Sequence, residues 1–188
     1  MDTIDTRNTH QHSSNSNFWF ELIKLILLSL VIVIPFRLYI AQPFIVDGAS
    51  MDPTFKNGEY LIVDEISYRL HKPERGSVLI FRYPRNPSKF FIKRIIGLPG
   101  ETVEIANGIV TIKNNEGEMT LDEPYVQFTK SDNLKQTLGD DEYFVMGDNR
   151  LGSADSRIWG PVTSDKIIGR PIIRFLPFAF FPGNVVQE

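Results

Sequence analysis

Phe90-Phe91-Ile92-Lys93-Arg94-Ile95-Ile96, stopped by Gly97-Leu98-Pro99-Gly100 and followed by Thr102-Val103-Glu104-Ile105-Ala106-Asn107-Gly108-Ile109-Val110-Thr111-Ile112, decides the fold class. The first run is rich in β-branched and aromatic residues and bounded by turn residues, which is the signature of a strand. The second alternates on both sides of Asn107-Gly108, the pair favoured in type I′ turns, and reads as a hairpin. Working outward, Pro43 to Asp47, Glu59 to Ile66, Ser77 to Tyr83, Glu142 to Gly147 and Arg170 to Leu176 read as further strands, with Gly58, Gly76 and Pro84 among their boundaries. A second turn falls at Asn114-Asn115-Glu116-Gly117. The weakly patterned, polar segment Tyr125 to Asp141 reads as a surface loop, and Ser164 to Gly169 is the one helical turn in this half. Beyond Gln42 the chain is therefore a mostly β domain, without repeats.

Upstream the pattern changes. Phe18 to Phe36 is almost wholly apolar, and nineteen residues at 1.5 Å each span about 28 Å, close to the thickness of a bilayer core. Glu21 and Lys24 lie in its first two turns, where they can pair and reach the interface, while Trp19 and Tyr39 fall where aromatic belts sit. A single transmembrane helix is expected over residues 18–36. A cleaved signal ending at Ala41 would place bulky Tyr39 where a small residue is needed, and a core helix would have to be apolar on every face. Arg7, Lys24 and Arg37 are too few to orient the span. Residues 1–17 are polar and aperiodic and read as a disordered tail, in which His10 and His12 are solvated.

The 188 residues carry a net charge of -3 and no long basic cluster, which argues against nucleic acid as a partner. A hydrophobic share of 42% is that of a globular chain. The absence of cysteine excludes disulfides, thiolate zinc sites and a cysteine nucleophile. No metal or cofactor is expected.

Three groups of residues offer chemistry. Ser50, in the turn Gly48-Ala49-Ser50-Met51-Asp52-Pro53-Thr54, is either a nucleophile or a turn residue bonding its own backbone. A serine nucleophile needs a base. Of the three histidines, two lie in the tail and His71 stands in the charged turn Arg69 to Arg75, so a Ser-His-Asp triad is all but eliminated. A lysine serves only if neutral. From a reference pKa near 10.4, about 0.04% of amines are neutral at pH 7, and burial must remove roughly 4 kcal/mol of preference for the charged form. Lys93 has the surroundings for that: strand alternation sets Phe91 and Ile95 beside it. The alternative is an edge-strand charge that discourages aggregation. The third group, Gly147 to Arg157, is dense in Asp, Arg and Ser. It is either a solvated loop or an ion-pair lattice that holds a loop rigid and offers a hydroxyl to a neutral lysine.

Taken in order after an apolar span, Gly48 to Thr54, Ile92-Lys93-Arg94-Ile95-Ile96-Gly97-Leu98-Pro99-Gly100 and Gly147-Asp148-Asn149-Arg150-Leu151-Gly152-Ser153-Ala154-Asp155-Ser156-Arg157 resemble the bacterial type I signal peptidase (leader peptidase) family. The resemblance runs from the span to about Pro161. It implies a signal-peptidase-like domain of two antiparallel β-sheet regions, residues 37–188, with a small accessory β region at about 101–141. It implies Ser50 as nucleophile and Lys93 as general base, Ser153 orienting the lysine, and Asp148, Arg150, Asp155, Arg157 and Arg94 as a supporting ionic frame. The implied substrate is the small-x-small (Ala-x-Ala) site of a signal sequence emerging from the export channel, bound extended by Phe44, Ile45, Val46, Gly48 and Ile92. The implied location is the cell membrane, single-pass in the lipid bilayer, with the catalytic domain outside the cytoplasm.

Two positions depart from the family. Some members carry a hydroxyl two residues before the nucleophile, where this chain has Gly48, so the oxyanion hole rests on the Ser50 N–H and at most one more donor. Arg75-Gly76-Ser77 also lacks an acidic residue after the glycine. Two other functions remain open at this point: a catalytically inactive membrane-tethered β binding module, and a self-cleaving Ser-Lys regulator. The second predicts a DNA-binding domain and an internal Ala-Gly cleavage site, and neither is evident in the sequence.

Overall fold

A computed structural model describes residues 14–39, 41–175 and 177–181. Of the tail expected over residues 1–17, residues 1–13 lie outside the described residues. The chain divides into two units, Met1–Leu38 and Tyr39–Glu188.

The first unit contains helix α1 (Ser14–Tyr39). It starts inside the segment read as tail, because Ser14 to Asn17 supply a polar first turn ahead of the apolar run. From Phe18 to Ile34 every side chain is exposed. Among the described residues no helix is long and apolar enough to cross a membrane; the described side chains of α1 end two residues before the apolar run does.

The second unit runs, in order, through β1 (Ala41–Ile45), β2 (Tyr60–Asp64), the one-turn α2 (Ser67–Leu70), β3 (Val78–Arg82) and β4 (Phe90–Gly97). There follow β5 (Thr102–Ala106), β6 (Ile109–Asn114), β7 (Gly117–Thr120), β8 (Leu134–Thr137) and β9 (Glu142–Met146). Last come α3 (Ser156–Trp159), β10 (Val162–Thr163), a 3-10 turn (Ser164–Lys166), β11 (Ile167–Phe175) and β12 (Phe178–Phe180). The larger sheet has the order β1-β2-β11-β3-β4-β9-β10, with β12 paired to β11, and the smaller has the order β7-β6-β5-β8. The strand pairs of both sheets are antiparallel. At the β5–β6 turn Asn107 has φ 52° and Gly108 φ 83°, the two left-handed residues that a type I′ turn requires.

Residues 125–141 depart from the surface loop expected of them. Leu134–Thr137 forms β8 along β5, and Tyr125 and Leu138 are buried. The strand is specified by its partner rather than by its own composition, since Leu-Lys-Gln-Thr has little apolar pattern to read.

Three apolar clusters fill this unit, and one of them carries the serine turn. Val46, Met51, Phe55, Leu61 and Val78 pack together, with Met51 and Phe55 wholly buried. Burying a Met or Phe side chain is worth about 1.5–3 kcal/mol, so the turn is bolted to the core on both sides of its tip. Strand β4 runs through the middle of the larger sheet, with Lys93 opposite Leu79 on β3 and Arg94 between Val78 and Met146. The β9 register begins at Arg94. Residues 90–93 therefore keep one edge without a partner strand among the described residues.

Candidate active site

The turn after β1 presents Ser50. Gly48 enters it at φ +95°, a conformation that L side chains rarely adopt, and donates its N–H to Asn57 Oδ1 at 2.8 Å. Asp52 N–H then bonds the Ala49 carbonyl at 3.3 Å and Phe55 N–H the Met51 carbonyl at 2.9 Å, coiling the segment over its buried anchors.

Lys93 reaches this turn from β4. Its Nζ lies 2.7 Å from Ser50 Oγ and 2.9 Å from the Ile92 carbonyl, and 5.3 Å from the centre of the Phe91 ring. The residue is only 4% exposed. Burial pulls the amine down from 10.5 to about 8, against the pull of the Asp155 and Asp148 carboxylates, which favour the ammonium. At pH 7 about a tenth of such amines are neutral, against roughly 0.03% for a solvated lysine. The short contact suits both states: an ammonium donates to Oγ, and a neutral amine accepts the hydroxyl proton.

Behind the pair lies a buried ionic frame. Arg94 grips Asp148 with two bonds, Nε to Oδ1 at 2.8 Å and Nη2 to Oδ2 at 2.7 Å, and both side chains are inaccessible to solvent. Thr54 Oγ1, from the serine turn, donates to the same carboxylate at 2.5 Å. Arg94 also bonds the Gly76 carbonyl and stacks 4.0 Å over the Tyr125 ring. Arg157 holds Asp155 through two bonds of 2.8 Å. Burial pushes the Asp155 carboxyl up, but Arg157, the nearby Ser153 hydroxyl and the Gly147 N–H together hold it below the usual carboxylate range. Arg150 pairs with Glu123 at 2.5 Å, and Arg157 reaches Asp132 at 2.7 Å.

The structure thus joins Ser50 to Lys93 and gathers Arg94, Asp148, Arg150, Asp155 and Arg157 behind them. Ser153, expected to orient the lysine, makes no hydrogen bond to it in the structure: the Lys93 amine bonds Ser50 and Ile92, and the Ser153 hydroxyl lies beside the Asp155 carboxyl. Gly147 lies against it so tightly that a Cβ there would collide with Ser153 Oγ and the Ser50 carbonyl.

A cleft of about 500 Å³ opens over the pair. Phe44, Ile45, Val46 and Ile92, four of the five residues expected to contact substrate, line it together with Leu61, Ile80, Phe90, Phe91 and Ala154. Gly48 is not on its wall. Asp47 and Lys89 add one charge of each sign. The Phe44 and Phe90 rings meet edge to face, 5.4 Å between centroids, where β1 approaches β4. Sequence reasoning assigned no role to Thr54 or Asn149, although both stand inside the quoted motifs. Glu123, Asp132 and Tyr125 carry no local signal at all, since their partners are remote in sequence.

Comparison with known proteins gives a consistent picture. The family model described as "Signal peptidase, peptidase S26" matches residues 19–176. A protein of Synechocystis named probable signal peptidase I-2 is 38% identical over 89% of this chain and 78% of its own length. Signal peptidase I of Leptolyngbya laminosa is 39% identical over 84% of this chain and 79% of its own length. A solved signal peptidase I from Enterococcus faecalis is 32% identical, covering 53% of this chain and 97% of that one, with a TM-score of 0.46.

Proposed function

The chain belongs to the signal peptidase, peptidase S26, family, and on that footing we propose that it is a membrane-anchored serine endopeptidase that removes signal peptides from exported preproteins with a Ser50–Lys93 dyad. The observation that carries this is the 2.7 Å contact between Ser50 Oγ and a lysine amine that is 4% exposed. A buried lysine is costly to keep, and the contact gives it a use.

In the first half-reaction the neutral Lys93 amine takes the hydroxyl proton as Ser50 Oγ attacks the scissile carbonyl. The developing oxyanion lies near the Ser50 backbone N–H. The Lys93 ammonium then returns its proton to the departing amine of the mature protein, leaving the signal peptide as an ester on Ser50. In the second half, water attacks that ester with Lys93 again as base, and the serine is regenerated.

The substrate binds extended. Strand β1 is an outer strand of its sheet, and residues 90–93 of β4 have one edge without a partner strand among the described residues. Both border the cleft, which supports addition of the peptide as a strand. In an extended chain residues i and i+2 point the same way, which supports recognition of small side chains at two alternate positions by the apolar wall. The exposed apolar side chains of α1 from Phe18 to Ile34 support its role as a single-pass anchor, with the catalytic unit outside the cytoplasm.

The test is cleavage of a preprotein bearing an Ala-x-Ala site by the purified full chain, with Ser50→Ala and Lys93→Met beside it. Both variants should lose turnover by a factor of a thousand or more. Wild-type cleavage by either folded variant would remove the dyad, and failure of the wild-type chain to cut would remove the assignment as a whole.

A further inference from the structure

Asn149 makes three hydrogen bonds that bear on the nucleophile. Its backbone N–H donates to the Ser50 carbonyl at 3.1 Å. Its side-chain Nδ2 donates to the Ala49 carbonyl at 3.0 Å, and its Oδ1 accepts the Gly152 N–H at 3.1 Å. The last bond closes the loop on itself and settles which end of the amide faces Ala49: with Oδ1 committed to Gly152, the donor end is left for the serine turn.

One residue therefore grips the two consecutive carbonyls that flank the Ser50 Cα. The Ala49–Ser50 peptide is trans, and in a planar trans peptide C=O and N–H point in opposite directions. Holding the Ala49 oxygen against Asn149 consequently aims the Ser50 N–H away from that loop. There it makes no hydrogen bond among the described residues. The second grip fixes the Ser50–Met51 plane, so both backbone torsions of Ser50 are constrained, and with them the direction in which Cβ carries Oγ to Lys93.

The need for such a device is visible two residues upstream. Gly48 has no side chain to offer an oxyanion, and its own N–H is committed to Asn57. The Ser50 N–H has to be accurately placed because no hydroxyl from position 48 assists it. Gly147 completes the arrangement, as its lack of a Cβ lets the loop come up against the Ser50 carbonyl.

We propose that Asn149 is a positioning residue, which by holding the Ala49 and Ser50 carbonyls aims the Ser50 N–H at the oxyanion and Oγ at Lys93. It rests on the Ser50–Lys93 mechanism proposed above, and its test separates the two. In the full chain, Asn149→Ala should lower kcat about 10–100-fold, less than the loss of an oxyanion donor itself, with KM changed less than twofold. The midpoint of the pH–rate profile should stay near the wild-type value, because the ionisation of Lys93 is untouched. A peptide aldehyde, whose adduct with Ser50 places an oxygen in the oxyanion position, should bind more weakly by a similar factor, while the cleaved signal peptide binds as before. Asn149→Asp keeps the Oδ1 acceptor that closes the loop and puts a charged acceptor in place of the donor to Ala49. Compared on the high-pH plateau, where its added charge no longer affects the protonation of Lys93, it should show the same split between aldehyde and product. A kcat within threefold of wild type in both variants overturns the inference. So does equal weakening of aldehyde and product, which would mark general loosening of the site. If Ser50→Ala or Lys93→Met retains activity, the underlying mechanism fails; if they are dead and the Asn149 variants are normal, only the role of Asn149 fails.

Discussion

Replacing Asp148 by Asn should destabilise the folded chain far more than loss of an ordinary hydrogen bond. Asp148 accepts bonds from Arg94 at 2.8 and 2.7 Å and from Thr54 at 2.5 Å, and the Arg94 and Asp148 side chains are both fully shielded from water. Asparagine keeps the shape and one acceptor but leaves the guanidinium buried without its countercharge. Breaking a buried pair from one side costs about 3–5 kcal/mol, which for a domain of this size lowers Tm on the order of 10 °C. The converse variant, Arg94→Met, orphans the Asp148 carboxylate in the same way. The double variant should lose at least 2 kcal/mol less than the singles summed, within the range of coupling found for contacting residues. Urea unfolding followed by tryptophan fluorescence measures all three. An Asp148→Asn loss below about 1 kcal/mol, or strict additivity in the double variant, would show that the pair is not the buried, interdependent unit described here.

Three further outcomes follow from the same geometry. Lys93→Met should be more stable than wild type at pH 7. The burial that pulls the amine from 10.5 to about 8 penalises the folded state by about 3 kcal/mol, offset by about 1 kcal/mol for the lost bond to Ser50. The folded amine binds fewer protons than the unfolded one between those values, so wild-type stability climbs with pH across that window and the advantage of the variant vanishes near pH 10.5; urea titrations at several pH values check this. Gly147→Ala should lower kcat at least tenfold and stability by about 1–3 kcal/mol, because its Cβ would meet the Ser50 carbonyl and the Ser153 side chain; steady-state kinetics and thermal unfolding read the two effects. Asp148→Asn should also move the pH–rate midpoint below the wild-type value, since the Asp148 charge favours the Lys93 ammonium.

The sheets and the Ser50–Lys93 pair are legible in the sequence for physical reasons that do not extend to the remote partners of the frame. Asn107-Gly108 marks its hairpin because few residue pairs take two left-handed conformations in succession, and Lys93 stands out because charge is rare in a run such as Phe90 to Ile96. Ser50 cannot be told from a turn serine until the amine that approaches it is known. Glu123, Asp132 and Tyr125 are illegible because they sit in a polar stretch and join the frame through Arg150, Arg157 and Arg94, which fold onto them from afar. Strand β8 is hidden for a related reason: its order comes from β5. Gly48 stands in the quoted motif, yet its part is conformational, with φ +95° and a bond to Asn57, rather than a contact on the cleft wall.

The dependence of kcat/KM on pH, measured from 5 to 11 on a substrate without ionisable groups near the scissile bond, tests the neutral-lysine base most directly. With Lys93 held at about 8, the logarithm of kcat/KM should rise with unit slope at low pH and level off just above that value. A profile still climbing with unit slope beyond pH 10 would mean that the base has the ionisation of a solvated lysine, and that the burial of Lys93 against Ser50 is not the source of the activity.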